Sequence, residues 1–215
     1  MDTSALLTRF RHAAGDAIRP YFWSDEEVLG YMDSAYRDFI RRAGGVPDAF
    51  SEAARVPILA GEAFSPTHPS VIRFLSARRK SDDRTIRFLN FTDREAERAS
   101  ARTGRVWGAI LGLHRHMVRW IDVPEEDDLA MLLVRRLPLD RLSRPDHEIA
   151  DLDDERHLQL IDGMFALALV KRDAETFDLG RADDFAARFA ASADNYRREL
   201  DSAENKPRAI AYGGL

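Results

Sequence analysis

The sequence predicts an α+β protein, mainly α, whose terminal helices pack as a bundle, with an inserted β-rich middle and an extended C-terminal tail. Three observations predict it. Apolar residues recur at steps of three and four near both ends of the chain, short apolar runs broken by proline fill the centre, and all periodicity stops after Glu204. The expected division is a helical bundle from 1–45 and 146–204, a β-rich insertion at 46–145, and a flexible docking tail at 205–215.

The N-terminal elements come first. Leu6, Leu7 and Phe10 give a short amphipathic helix over residues 4–14, and Pro20 ends the segment that follows. Ser24-Asp25-Glu26-Glu27 is a capping box, with acids placed at the positive helix end. The helix it opens carries Val28, Leu29, Met32, Ala35, Tyr36, Phe39, Ile40 and Ala43 on one stripe, and Gly44-Gly45 stops it.

From Val46 the texture changes. Pro47, Pro57, Pro66 and Pro69 rule out helix interiors, and residues 55–60, 71–77 and 85–91 read as strands, with turns at Gly61-Glu62 and Ser81-Asp82-Asp83. Thr92-Asp93-Arg94-Glu95 starts a short charged helix over 92–102. Residues 106–111, 117–123 and 129–137 read as three more strands. The last two flank Pro124-Glu125-Glu126-Asp127-Asp128 as a hairpin turn. After Pro145, Asp153-Asp154-Glu155 opens a helix bearing Leu158, Ile161, Met164, Phe165, Ala168 and Leu169. Asp178 caps the next, with Leu179, Ala182, Phe185, Phe189, Ala193, Tyr196 and Leu200 in period, so the two form a helical hairpin.

Composition narrows the function. Leu, Ile, Val and Phe number 53 of 215 residues, enough for a packed core. The longest apolar run, 164–170, is far short of the ~20 residues that cross a bilayer, and no basic-then-apolar leader opens the chain, so a cytoplasmic protein with no membrane contact is expected. There is no cysteine, which removes disulfides, thiolate metal sites and cysteine nucleophiles. All but three of the 32 basic residues are arginine, and the net charge is −5, unlike a protein that grips nucleic-acid phosphates with a cationic face.

Searches for chemistry return little. His114-Arg115-His116 would place two imidazoles on one strand face, but without recognisable spacing to a third ligand. The acids at 153–155 answer to the helix dipole. Gly104, Gly108 and Gly112 fit neither phosphate-binding fingerprint, and no nucleophile elbow or zinc-helix motif occurs. Trp23, Trp107 and Trp120 read as core or interface anchors. No catalytic residue, metal or cofactor is expected, and the Glu125-Glu126-Asp127-Asp128 tetrad reads as a solvated anionic tip.

Several runs together resemble the head-to-tail adaptor proteins of tailed double-stranded DNA phages. Residues 21–32, from Tyr21-Phe22-Trp23 through the capping box, are similar to the first long helix of that family, residues 55–62 to its first strand and turn, and residues 134–139 to its strand exit. Residues 156–166, the run Lys171-Arg172-Asp173-Ala174-Glu175-Thr176-Phe177-Asp178, and residues 185–189 resemble its C-terminal helical hairpin. The ending, residues 207–215, resembles a recurrent adaptor tail. Two departures stand out: Asp162-Gly163 where adaptors often carry a bulky aromatic after the acid, and residues 92–117, which do not align.

The resemblance implies a structural virion protein that is not an enzyme, forms a homo-oligomeric, dodecameric ring beneath the portal, extends the DNA channel and docks a tail or nozzle protein. It implies the head-tail junction of the virion as its location, after assembly in the host cytoplasm, with double-stranded DNA passing transiently. Pro207, Arg208, Ile210, Tyr212, Gly213, Gly214 and Leu215 would then dock into the portal, and Glu125, Glu126, Asp127 and Asp128 would line the lumen and repel phosphates. Two other readings remain open. One is a helix-turn-helix DNA-binding regulator built on residues 153–200, although Asp183 and Asp184 sit where a groove-reading helix needs donors. The other is a small metal-dependent hydrolase using His114 and His116.

Overall fold

The computed structural model describes residues 1–90, 102–172 and 176–204. The chain divides into two compact units: Met1–Gly44 with the described part of Asp140–Leu215, and Gly45–Leu139.

The first unit is helical. α1 (Thr3–Ala14) is capped by Asp2, whose carboxylate accepts from the Ala5 N–H at 2.8 Å, and it ends on Gly15 in the left-handed region. α2 (Asp25–Arg42) starts on the expected capping box: the Ser24 hydroxyl accepts from Glu27 N–H at 3.1 Å, and the Glu27 carboxylate accepts from Ser24 N–H at 2.8 Å. The apolar run after Asp153 makes two helices instead of one, α3 (Asp154–His157) and α4 (Leu160–Ala168). α5 (Leu179–Glu204) is the longest element, at 26 residues.

α2, α4 and α5 pack on one another, and α1 lies against α2 and α4. Phe10 meets Phe165 with ring centroids 4.7 Å apart, Phe165 stacks on Phe185 at 4.7 Å, and Phe39 meets Phe189 at 5.7 Å. Gly163 lies where α4 approaches α5 and α2. A Cβ there would sit 2.6 Å from Phe189 Cε2 and 3.0 Å from the Ala35 Cβ. The glycine that departs from the adaptor pattern is thus what lets these helices come this close.

The second unit overturns the mainly α reading. Among the described residues the chain is mixed α/β, with ten strands in three sheets, all of them in Gly45–Leu139. In the first sheet β10 (Asp128–Arg136) is central, with β4 (Val71–Arg79) along one side. β1 (Val46–Asp48) and then β2 (Arg55–Ile58) lie along the other, all antiparallel to β10. The second sheet runs β3 (Phe64–Pro66), β8 (Met117–Ile121), β7 (Gly108–Leu111), β5 (Arg87–Leu89), with β5 parallel to β7. β6 (Thr103–Gly104) and β9 (Val123–Pro124) form a parallel pair.

The two larger sheets share one core, in which Val56, Ile58, Ala77, Leu132 and Val134 meet Ala109, Val118 and Trp120. The Trp120 indole N–H donates to Ser65 Oγ at 2.8 Å. The unit therefore carries its own hydrophobic centre.

Short edge strands explain the misjudged fold class. Pro47, Pro57 and Pro66, which exclude helix interiors, sit inside β1, β2 and β3, each of which pairs on one side only. An edge strand accepts proline because the missing N–H faces no partner. β1, β3 and β6 have three residues or fewer, too short to show a period of two in the sequence. The hairpin between the strands at 117–123 and 129–137 is also corrected: β8 and β10 belong to different sheets, and the acidic run lies where the chain crosses between them. The expected helix at 92–102 lies almost wholly outside the described residues.

Candidate functional site

The acidic run expected to form a channel lining is not four equivalent charges. Glu125 and Glu126 are exposed. Asp127 accepts from the Ala60 N–H at 2.8 Å and so ties the crossing to the end of β2. Asp128 accepts from the Ser81 hydroxyl at 2.6 Å, the Ser81 N–H at 3.2 Å and the Leu129 N–H at 2.8 Å. Partial burial opposes its charge, but these hydrogen bonds, with Arg79 nearby, more than offset that and hold the carboxyl below the usual carboxylate range. An acid so held is a weak base toward the Ser81 hydroxyl.

A cleft of about 300 Å3 opens beside this run, lined by its four acids together with Arg79, Asp82 and Arg105. Arg79 is buried and pairs through Nη2 with Asp82 at 2.5 Å. Two arginines offset part of the charge of the five acids that line the cleft, and the balance stays acidic.

The expected imidazole pair is not on a strand face. His114, Arg115 and His116 occupy the turn between β7 and β8, where His116 takes a positive φ of 57° and His114 packs edge-on against Phe64 at 5.6 Å. Among the described residues no group of three or more His, Cys, Asp or Glu side chains is placed to hold a metal ion. Asp154 pairs with the Met1 amino group, which lowers its pKa; Asp153 makes no side-chain cap bond. The residues expected to dock into the portal, Pro207 to Leu215, lie outside the described residues.

Sequence reasoning missed a groove in the helical unit. It has a volume of about 240 Å3 and is lined chiefly by Ala14, Phe22, Trp23, Phe165, Leu169 and Phe177, with Asp178 and Arg181 at its rim. Its walls are positioned by polar contacts. Buried Arg11 donates to Asp16 at 2.7 Å and to the Trp23 carbonyl at 3.1 Å, pairs with Asp25, and stacks 3.6 Å over the Tyr21 ring. Asp16 in turn accepts from the Phe22 N–H at 2.8 Å. On the far wall the Asp178 N–H donates to the Leu169 carbonyl at 3.0 Å, and its carboxylate accepts from the Arg181 N–H at 3.0 Å, starting α5.

Phe22 and Phe177 are each held 47% exposed by this framework, and Leu179 is 53% exposed. The signal in the sequence was an aromatic residue directly before the Asp178 cap, a position that ordinarily packs against the first turn of its helix. Nothing in the sequence shows that this one stands open.

No protein-family model matches the chain, and neither does any curated protein. Among the described residues no helix is long and apolar enough to cross a membrane.

Proposed function

We propose that the chain is a head-to-tail adaptor, a structural subunit that assembles side by side into a ring beneath a phage portal, continues the DNA channel and receives the tail. The observation that carries this reading is the helical unit. Segments more than a hundred residues apart close into one scaffold, and that scaffold leaves large apolar side chains, Phe22, Val170, Phe177 and Leu179, open to solvent. Exposed apolar surface of this kind is characteristic of subunits that bury it against neighbours. A contact between unlike faces of identical subunits closes into a ring when the rotation per subunit fits.

The exposed acids at 125 and 126 suit a surface past which phosphates must slide without adhering. The test is to mix the purified chain with portal rings and image the product by electron microscopy. A collar of twelve added subunits is expected, and bare portal rings at saturating protein would overturn the reading.

A further inference from the structure

We infer that the outward face of the β10 sheet receives the acidic stretch at residues 146–155 of a neighbouring copy of this chain. The inference rests on the adaptor reading for its setting, and it names the two surfaces through which subunits meet.

The sheet face follows from strand alternation. Ala130, Leu132 and Val134 of β10 lie in the core, so Leu129, Met131 and Leu133 point to the opposite side. Arg55 of β2 and Arg78 of β4 stand in register with Met131, one on each flank. They bracket an apolar stripe with positive charge. A hollow of about 350 Å3 opens along it, lined in part by Met131, Leu133, Ser76 and Lys80. Phe50 is 87% exposed, and its carbonyl accepts from Arg55 Nη2 at 3.3 Å. The Arg78–Asp83 pair, at 3.0 Å, is solvent-exposed at both ends, and exposed pairs of this kind hold their partners weakly.

The acidic stretch belongs to the helical unit. Six of its ten residues are acidic and none is lysine or arginine. It is anchored from beneath: Ile149 and Leu152 are buried, their carbonyls lie 3.1 and 2.7 Å from His157 Nε2, and the Asp151 N–H donates to the Tyr36 hydroxyl at 3.2 Å. The carboxylates at 146, 148, 153, 154 and 155 are exposed, and Leu158 beside them is 43% exposed. Charges fixed in this way lose little freedom when a partner arrives.

Electrostatics selects the occupant. With a net charge of −5, two copies repel each other unless unlike faces meet. One face is basic around an apolar stripe, and the other is acidic with an apolar residue beside it. Both stand open in the single chain, so the contact they complete is with another copy. Such a contact joins unlike faces, is heterologous, and propagates around a ring.

The test follows self-association of the full chain by sedimentation velocity. Association should rise with concentration and weaken in about 0.5 M salt. Arg78→Glu with Lys80→Glu should weaken it about tenfold or more, as should Asp153→Arg with Glu155→Arg. Mixing the two double variants should restore it. The acids of the first then meet the intact basic face of the second, and the two reversed surfaces meet each other. A misfolded variant would not be rescued in this way.

Wild type that stays monomeric, either double variant associating as wild type does, or a mixture no better than its components would each overturn the inference. A DNA oligonucleotide retained by wild type and lost from Arg78→Glu with Lys80→Glu, with association unchanged, would overturn it and assign the face to nucleic acid. Association that follows the expected pattern in a chain that fails to join portal rings overturns the adaptor reading alone.

Discussion

Asp48 shows how one buried carboxylate organises an edge strand. It accepts hydrogen bonds from the N–H groups of Phe50 and Ser51 at 2.9 and 3.0 Å, bonds the Ser51 hydroxyl, and pairs with the buried Arg136 guanidinium at 2.5 Å. Burial opposes its charge, but these donors win, and the carboxyl is held well below its ordinary value of 3.8. A carboxyl lowered in the folded state adds stability above its unfolded value and loses that contribution as pH falls toward the folded one. Urea denaturation should therefore show stability falling from about pH 4 down to about pH 2, with a shallower fall in Asp48→Asn. At pH 7 that variant should be less stable by about 1.5–3 kcal/mol, because Arg136 keeps its bond to the Leu137 carbonyl while losing its charged partner. Equal pH profiles in the two proteins would contradict this account.

At the scale of elements, Gly163 is the clearest case of packing overruling propensity. Alanine would favour α4 by about 1 kcal/mol on helix propensity alone. The added methyl must displace the Phe189 ring and press on Ala35, and overpacking of this kind costs about 1–3 kcal/mol. Gly163→Ala is expected to lower the urea midpoint without changing the slope, and a raised midpoint would show that α5 can shift at little cost. The sequence held the helix caps plainly: Ser24 with Glu27, Asp178 and the Gly44-Gly45 stop all act through neighbours within a few residues. It held the long strands β4 and β10 through their apolar runs. It did not hold sheet membership, because whether β8 and β10 pair or cross between sheets depends on contacts far along the chain. The groove was hidden for a related reason. Phe22 and Phe177 lie 155 positions apart, and an aromatic beside a cap looks the same in sequence whether it is covered or open.

For the whole molecule, the shared core of the two larger sheets implies that Gly45–Leu139 folds without the helices. Expressed alone, residues 45–139 should give a dispersed amide NMR spectrum and a cooperative thermal transition. A collapsed, random-coil spectrum would show instead that the helical unit completes its core. Gly45 marks how tightly this unit begins: at φ +91°, a Cβ there would lie 3.0 Å from the Arg135 Cβ and the Arg136 nitrogen.

The pairing of Val46 with Arg136 has a kinetic consequence. The helical unit must bring residue 44 and residue 140 together across roughly 95 intervening residues, a wide loop to close from an unfolded chain. Once β1 has zipped onto β10, the same gap is bridged by a few residues on either side. At about 0.6 kcal/mol for each halving of loop length, the entropy of closure falls by between 2 and 3 kcal/mol, roughly. The sheets thus act as a pre-formed clasp for the helices, and whatever delays the strand at 128–136 should delay the docking of α4 and α5 onto α2 as well.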